Sequence, residues 1–408
     1  MSDNRQLDGS AAVRVLVGWD DEEETDLLTM YLEAGGTQVR VTRSPDELLA
    51  AFETEACDVV LLPITFPDSD QAFDLFEKIR RANPDMPVMV AARPGEIYPL
   101  SRFIGHGVQA HIYRDPAKEY LFLLQTLLES ALKARQAEQA RLLAEKLRSE
   151  VDSVRKLQES MIPRNMEAPL GYEIVARYEP SQINVSGGQP VVLAGGDYYY
   201  AFKLSGQRLV FLVGDASGHG IKACMSIMGM HTLISMLQDD LHAAPHEFVK
   251  QINRRLCIQN LVQDQEGFIT LVYGVLEDGV LRWTSAGHCV PLLQDMETGK
   301  TVEIGDPTRD GGLPLGIYDD ADYETMATEI PPGHRLVVYT DGIIEAMSNG
   351  SEHKQFGIEG LRRTLHACRR QPLSRTLDEL FRESMEFTGG EGRHDDTSVL
   401  LLERRLDD

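Results

Sequence analysis

The feature that most constrains this sequence is a stretch without glycine or proline, from Lys118 to Ile162. The stretch is rich in Ala, Leu, Glu, Gln, Lys and Arg, the residues with the highest helix propensity. One helix over its whole length would be about 65 Å long at a rise of 1.5 Å per residue. We therefore expect it to join two folding units, and the length of 408 residues agrees, because about 100–200 residues form one domain.

An apolar stripe follows the second half of this helix at spacings of mostly four and three residues. Its members are Ala140, Leu143, Leu147, Val151, Val154 and Met161. Such a stripe is typical of a coiled coil, in which a parallel partner helix covers it. We therefore predict a helical coiled-coil linker over residues 131–165 and a homodimer formed through it. The alternative, that the stripe packs against the flanking domains of its own chain, stays open.

Residues 13–130 alternate short apolar runs with amphipathic segments, after an expected flexible tail over residues 1–12. The pattern predicts strands at Val13–Gly18, Gln38–Thr42, Asp58–Ile64, Pro87–Ala92 and Ala110–Tyr113, with helices at Glu22–Ala34, Pro45–Glu53, Ala72–Ala82 and Ile97–Ile104. Repeated βα units predict a parallel sheet with right-handed crossovers. The size and order favour an α/β flavodoxin-like domain.

Beyond Pro163, which ends the helix, the sequence becomes rich in strands. Strands are predicted at Tyr172–Tyr178, Asp197–Lys203, Arg208–Val213, Phe268–Leu276, Val280–Ser285, Val290–Gln294 and Arg335–Tyr339, and helices at Ile221–Leu237, His246–Asn260, Gly360–Ala367 and Thr376–Phe387. Strands and helices in separate blocks favour an α+β sandwich over residues 166–408.

The charge and the cysteines restrict the setting. Forty Lys and Arg face 64 Asp and Glu, a formal net charge of −24, which disfavours binding to nucleic acid or to an anionic membrane surface. No apolar run approaches the length of about 18 residues that a membrane helix needs. Five scattered cysteines without a Cys-x-x-Cys pair indicate reduced thiols, so we expect a cytoplasmic protein.

Acidic residues lie at or beside the ends of predicted strands in the second half. Asp197 follows two glycines, Asp215 and Asp341 each follow an apolar strand, and Asp395 precedes the apolar run that begins at Val399. A carboxylate at an apolar strand end is costly unless it is paired or bound to a metal. Sites built from oxygen ligands, without His or Cys, favour the hard cations Mg²⁺ and Mn²⁺.

Five motifs around these acids occur in a fixed order. They are Gly-Gly-Asp at 195–197, Gly-Asp-x-Ser-Gly-His-Gly at 214–220, Ser-Ala-Gly-His at 285–288, Thr-Asp-Gly at 340–342 and Asp-Asp-x-Ser-Val at 395–399. In this order they resemble the PPM (type 2C) metal-dependent Ser/Thr protein phosphatases, in the bacterial sporulation and stress-response branch. The segment Leu157–Pro163 resembles the linker before the catalytic domain of that branch. The resemblance implies a β-sandwich flanked by helices.

The resemblance also implies roles for these residues. Asp215 should bridge two ions of Mn²⁺ or Mg²⁺, and Asp341 and Asp395 should complete the first site. The backbone carbonyl of Ala216 should reach the second ion, and Asp197 should hold that ion directly or through water. Water activated by the two ions would then hydrolyse phosphoserine or phosphothreonine on a protein, in this branch commonly an anti-sigma-factor antagonist. The alternative is a non-catalytic adaptor or scaffold that binds a sigma factor or its regulator.

The sequence departs from the pattern of that branch at two places. Tyr200 stands where a second Asp is usual, and the segment Gln182–Leu193 is longer than usual and predicts a mobile loop near the site. Both bear on the second metal site. We expect structural or tuning roles, and not metal ligation, for His219, His288 and His394.

The first domain resembles a two-component receiver that has lost its phosphate acceptor. The acid pair would be Asp20 and Asp21, but Pro63 occupies the place of the acceptor Asp, and proline has no group that can take a phosphoryl group. Ala92 replaces the hydroxyl residue of the fourth strand, and Arg114 replaces the usual Lys. We therefore predict a degenerate receiver, or pseudo-receiver, that serves in protein interaction or dimerisation and is not switched by aspartyl phosphorylation.

Overall fold

The computed structural model describes residues 12–108, 110–163, 166–183, 191–192, 194–204, 207–218, 220–237, 242–259, 267–306, 308–349, 354–389 and 395–406. The chain divides into two compact units, Met1–Lys146 and Leu147–Asp408. Except for Ala12, the predicted tail over residues 1–12 lies outside the described residues. None of the helices in the described parts of the chain is long and apolar enough to cross a membrane.

The first unit is built on a five-stranded parallel sheet. Its elements are β1 (Arg14–Gly18), α1 (Glu22–Ala34), β2 (Gln38–Thr42), α2 (Pro45–Thr54), β3 (Val59–Pro63), α3 (Ser69–Ala82), β4 (Val88–Ala92), α4 (Ile97–Gly105), β5 (Ala110–Tyr113) and the first part of α5 (Leu121–Met161). The strand order is β2-β1-β3-β4-β5, and every pair is parallel. This order confirms the flavodoxin-like fold, and apolar clusters cover both faces of the sheet.

An internal ion network occupies the carboxyl end of this sheet. The guanidinium of Arg114, which is 4% exposed, donates to Glu24 at 2.5 Å and to Asp20 at 3.2 Å. The Tyr120 hydroxyl also donates to Glu24, at 3.1 Å, and the guanidinium carbon lies 4.5 Å from the centroid of the Trp19 ring. A cation supplied by the chain thus neutralises the acidic group at this edge.

The strand ends agree with the degenerate receiver pattern. β3 ends at Pro63 and β4 ends at Ala92, and both residues are buried. The register that assigns Pro63 to the acceptor position therefore matches the observed third strand.

Replacing Arg114 with Ala should destabilise the first unit by about 3 kcal/mol, because Glu24 would be left buried without its cation. Urea unfolding followed by the fluorescence of Trp19, in a Trp283→Phe background, measures this change. The matched control is Arg141→Ala, which removes an exposed arginine that pairs with Glu138 and Glu145. Equal urea midpoints for both variants would contradict the role of the buried network.

Helix α5 begins at Leu121, three residues after the predicted start. Lys118 has a left-handed backbone with φ of 60°, and the Asp115 side chain accepts the backbone N–H of Tyr120 at 3.0 Å, so the chain turns before the helix begins. The first turns of α5 bury apolar side chains, including Leu124, in the first unit. Farther along the helix, Leu147 of the stripe is 57% exposed.

The second unit contains two antiparallel five-stranded sheets. After the last part of α5, its elements are β6 (Tyr172–Glu179), β7 (Gln182–Ile183), β8 (Val191–Val192), β9 (Asp197–Lys203), β10 (Leu209–Ala216), α6 (Ile221–Ser235), α7 (Pro245–Ile258), β11 (Ile269–Glu277), β12 (Val280–Ala286), β13 (Leu292–Asp295), β14 (Thr301–Glu303), β15 (Met326–Glu329), β16 (His334–Tyr339), α8 (Asp341–Ile344), α9 (Gly357–Ala367), α10 (Leu373–Phe387) and β17 (Thr397–Arg404). One sheet has the order β15-β12-β11-β10-β9 and the other β14-β13-β16-β17-β6.

The two sheets pack face to face between two layers of helices. Phe211 and Val213 of the first sheet meet Val338 and Leu400 of the second in the central core. Helices α6 and α7 cover the outer face of the first sheet, and α8, α9 and α10 cover the outer face of the second. This arrangement confirms the sandwich flanked by helices. The short strands β7 and β8, the strands β14, β15 and β17, and the short helix α8 were not among the predicted elements.

Candidate functional site

Two of the predicted site residues lie side by side on the first sheet. Asp197, the first residue of β9, is the cross-strand partner of Asp215 near the end of β10. Successive side chains of a strand alternate between its faces, and Tyr199 and Val213, each two residues away, lie in the core between the sheets. Asp197 and Asp215 therefore face the gap between the two sheets.

The second sheet brings its acids to the same gap. Asp341 is the first residue of α8, directly after β16, and Asp395 precedes β17. The hydroxyl of the buried Thr340 donates to Oδ2 of Asp197 at 2.6 Å and accepts the backbone N–H of Ser398 at 2.8 Å. This bridge joins the first sheet to the paired ends of β16 and β17.

Gly196 and Ala216 bring backbone close to these carboxylates. The Ala216 amide donates to the Gly196 carbonyl at 2.9 Å. A methyl group added at Gly196 would lie 2.5 Å from the Ala216 carbonyl oxygen and 3.0 Å from Oδ1 of Asp215. Only glycine fits here, between the Ala216 carbonyl and the Asp215 carboxylate. The binding of a metal ion by the Ala216 carbonyl stays a prediction.

Asp396, the second acid of the Asp-Asp-x-Ser-Val motif, anchors the backbone of the site. Its Oδ1 accepts the N–H of Ser181 at 2.7 Å and its Oδ2 accepts the N–H of Gly196 at 2.6 Å. Its own N–H donates to Oδ1 of Asp395 at 2.8 Å. Both carboxylate oxygens of Asp396 are therefore engaged in holding the chain.

The buried carboxylates perturb one another. Burial raises the pKa of Asp215 to about 8, and the negative charges of Asp341, Asp395 and Asp396 add to the effect. Burial, followed by the charge of Asp215, raises the pKa of Asp197, and burial, followed by the charge of Asp395, raises the pKa of Asp341. Five acids at the ends of strands from the two sheets thus form one electrostatic cluster.

The donor set fits divalent cations. In the described part of the chain no Lys or Arg forms an ion pair with Asp197, Asp215 or Asp341, and Oδ1 of Asp341 is buried without a hydrogen-bond partner. Oxygen ligands and an uncompensated negative charge suit Mg²⁺ or Mn²⁺. Among those same residues, however, no three acidic, His or Cys side chains already form a group that could hold a metal ion.

Tyr200, where the sequence departs from the phosphatase pattern, lies on the other face of β9. Its ring stacks on Tyr198 with centroids 6.3 Å apart and meets His231 edge-on at 5.6 Å, in the layer covered by α6. The Tyr200 side chain is therefore directed away from the face that carries Asp197.

The structure describes His288, but only part of the other features for which the sequence made predictions, namely His219, His394 and the segment Gln182–Leu193. Nδ1 of His288 lies 2.7 Å from the Thr270 hydroxyl, and burial lowers the pKa of His288 to about 4, so it is a neutral residue supporting the sheet. His219 and His394 lie outside the described residues. Within Gln182–Leu193 the ends pair as β7 and β8, while residues 184–190 and 193 are not described, so the mobility of this loop stays a prediction.

Sequence reasoning missed two residues that hold the site. Thr340 was noted only as part of the Thr-Asp-Gly motif, and Gln158 only as part of a linker motif, yet both are buried and donate hydrogen bonds to the Asp197 region. One feature of the sequence could have pointed to Gln158. It is a polar residue in the last turn of a helix, and it lies three residues before Met161 of the apolar stripe.

Comparisons with known proteins agree with this architecture. A model of the Stage II sporulation protein E (SpoIIE) family matches residues 205–405. The chain is similar to Phosphoserine phosphatase RsbU of Bacillus subtilis (strain 168), with 21% identity over 317 residues that cover 77% of this chain and 87% of RsbU. It also matches Phosphoserine phosphatase RsbP of the same organism, with 27% identity over 158 residues, but these cover only 37% of this chain and 36% of RsbP.

A solved structure resembles the second unit in fold. The SiaA-PP2C domain of Pseudomonas aeruginosa aligns over 65% of this chain and 99% of that domain, with a TM-score of 0.51 and 19% identity. The two-sheet sandwich and the ordered acidic motifs lie in the second unit, and the family match begins eight residues after the Gly-Gly-Asp motif at 195–197. The second unit therefore has the fold of a PP2C-type phosphatase domain, and its residues 205–405 match the Stage II sporulation protein E family.

Proposed function

We propose that the second unit hydrolyses phosphoserine or phosphothreonine on a protein with the help of two Mn²⁺ or Mg²⁺ ions. The observation that carries the proposal is the set of four carboxylates gathered between the two sheets with no arginine or lysine paired to Asp197, Asp215 or Asp341 in the described residues. Asp341, Asp395 and Asp215 would hold one ion, and Asp215, Asp197 and the Ala216 carbonyl the other.

Each part of the chain has a defined task in this proposal. Bound divalent ions lower the pKa of water and neutralise phosphate oxygens, which supplies the hydrolytic chemistry without a nucleophilic Ser or Cys. The carboxylates must lose their protons to hold the ions, Thr340 fixes the orientation of the Asp197 carboxylate, and Asp396 fixes the backbone before it.

The proposed substrate class is supported by the relatives. RsbU and RsbP are both named phosphoserine phosphatases, and the motifs of this chain resemble those of the bacterial sporulation and stress-response branch. We propose a phosphorylated anti-sigma-factor antagonist as the substrate and a signalling role in the cytoplasm. The five cysteines are all unpaired, which suits a reducing compartment.

Replacing Asp341 with Ala should lower Mn²⁺-dependent hydrolysis of a generic phosphoester by on the order of 100-fold or more, because a lost ligand removes several kcal/mol of stabilisation of the transition state. Asp320→Ala is the control, since Asp320 is an exposed carboxylate outside the cluster. Initial rates at saturating Mn²⁺, with the full-length protein, provide the measurement. Absence of activity in wild type and both variants would favour the non-catalytic scaffold.

Removal of metal should make stability depend on pH. Folding raises the pKa of Asp215 to about 8 from an unfolded value of about 3.9, so the native state holds this proton more tightly. Its contribution to stability is present below about pH 4 and is lost as pH rises through about 8. The melting temperature of the metal-free protein should therefore fall between pH 5 and pH 8 more steeply than that of Asp215→Asn.

Adding Mn²⁺ supplies the second half of this experiment. The ion competes with protons for the carboxylates, so it should raise the melting temperature of the wild type more at pH 8 than at pH 5. The gain should be smaller for Asp215→Asn. Parallel curves for the two proteins, with and without Mn²⁺, would contradict a proton- and metal-linked cluster.

We also propose that α5 dimerises the protein through its apolar stripe. Leu147 is 57% exposed and Leu143 is 59% exposed, and leucines at such spacing are stabilised by a partner helix. Leu147→Glu should convert the dimer to a monomer in sedimentation equilibrium. Leu142→Glu makes the same change at a 52% exposed leucine outside the stripe and should remain dimeric. A monomeric wild type, or equal masses for both variants, would contradict the proposed coiled-coil dimer.

The first unit would then serve as an interaction module. Its acidic edge is neutralised by Arg114, and Pro63 ends the strand where a receiver carries its acceptor. These features support a role in binding a protein partner or a second copy of the chain, without aspartyl phosphorylation.

A further inference from the structure

The side chain of Gln158 makes contacts that a neighbouring strand would normally make. Gln158 lies in the last turn of α5 and is 1% exposed. Its Nε2 donates to the Gly195 carbonyl at 2.9 Å, and its Oε1 accepts the Gly195 N–H at 3.1 Å. The planar amide therefore satisfies both backbone groups of one residue, and its Nε2 also lies 3.3 Å from the Asp197 carbonyl.

This pairing occurs at an otherwise open edge. β9 is the last strand of its sheet, so only β10 pairs with it along the sheet. The inner side of the turn before β9 is held by the Ala216 amide and by Asp396, which both bond to Gly196. Gln158 supplies the hydrogen bonds on the remaining side.

The turn needs such support because of its two glycines. Glycine has the greatest backbone freedom of any residue, and freedom at 195 and 196 would be transmitted to Asp197. Neither glycine can be replaced to stiffen the turn: a methyl group at Gly195 would collide with the Tyr178 hydroxyl, and one at Gly196 would collide with the Ala216 carbonyl. The rigidity must come from side chains that bind the backbone.

We infer that Gln158 is a positioning residue for the second metal ion of the proposed site. It fixes the backbone from which Asp197 projects, whereas Asp341 and Asp395, which would hold the first ion, make no hydrogen bond to Gln158 in the described residues. The inference rests on the proposed two-ion function. Hydrogen-bonded groups behind a metal ligand typically contribute 10–100-fold to metal affinity.

Gln158→Met tests the inference, because methionine keeps the unbranched shape and removes all of the hydrogen bonds. Mn²⁺ titration followed by electron paramagnetic resonance counts the ions and gives both affinities. We expect about 10–100-fold weaker binding of one ion, and about unchanged binding of the other. Ser160→Ala, an exposed change two residues along the same turn, should bind both ions as the wild type does.

Hydrogen–deuterium exchange of the metal-free proteins gives a second readout that needs no activity. The amide of Gly195 should exchange faster in Gln158→Met than in wild type or Ser160→Ala, because its acceptor is gone. If Gln158→Met does not fold, Gln158→Glu keeps the acceptor for the Gly195 N–H and removes the donor to the Gly195 carbonyl. This variant should therefore bind the second Mn²⁺ more weakly, to a smaller degree than Gln158→Met, without faster exchange at Gly195.

The outcomes separate the two proposals. Equal affinities for both ions in wild type and in the Gln158 variants, or unchanged exchange at Gly195 in Gln158→Met, would overturn the role of Gln158 and leave the proposed phosphatase function standing. A wild type that binds no second Mn²⁺ would overturn the two-ion function, and the role of Gln158 with it.

Discussion

Burial of several carboxylates in one gap between two sheets is the interaction on which the second unit depends. Asp197 and Asp215 come from one sheet, Asp341 and Asp395 from the other, and their mutual repulsion opposes the approach of the sheets. The chain offsets part of this cost with neutral donors: the hydroxyl of Thr340 serves Asp197, and backbone N–H groups serve the neighbouring Asp396. Neutral donors do not remove the net negative charge of these carboxylates, whereas bound divalent cations would neutralise it.

The first unit also gathers acidic side chains, but a cation of its own chain neutralises them. Asp20 and Glu24 also lie near the carboxyl ends of strands, but Arg114 neutralises them from within the chain and Trp19 covers its guanidinium. An acidic edge closed by a buried arginine has no need of a metal ion. The contrast agrees with the proposed division of labour, in which the first unit would serve as an interaction module and the second would bind cations.

Much of this organisation could be predicted from the sequence, because the features that define it lie close together along the chain. The strands Gln38–Thr42 and Asp197–Lys203 and the helix Glu22–Ala34 were predicted with their observed bounds, because apolar periodicity and turn residues define them. The acids of the site were recognisable because each follows or precedes an apolar run. The strand β17 was missed as an element although its apolar run was noted, and α5 begins late because Lys118 adopts a left-handed backbone. Periodicity carries no information about such long-range contacts as Gln158 with Gly195, 37 residues away, or Thr340 with Asp197, 143 residues away.

The central claim is that the four carboxylates form a two-metal centre bridged by Asp215. A crystal structure of the full chain grown with Mn²⁺, with anomalous scattering measured at the manganese edge, tests it most directly. The account predicts two anomalous peaks about 3.5–4 Å apart on either side of the Asp215 carboxylate, one beside Asp341 and Asp395 and the other beside Asp197. No peak at saturating Mn²⁺, or peaks that do not involve Asp215, would contradict it.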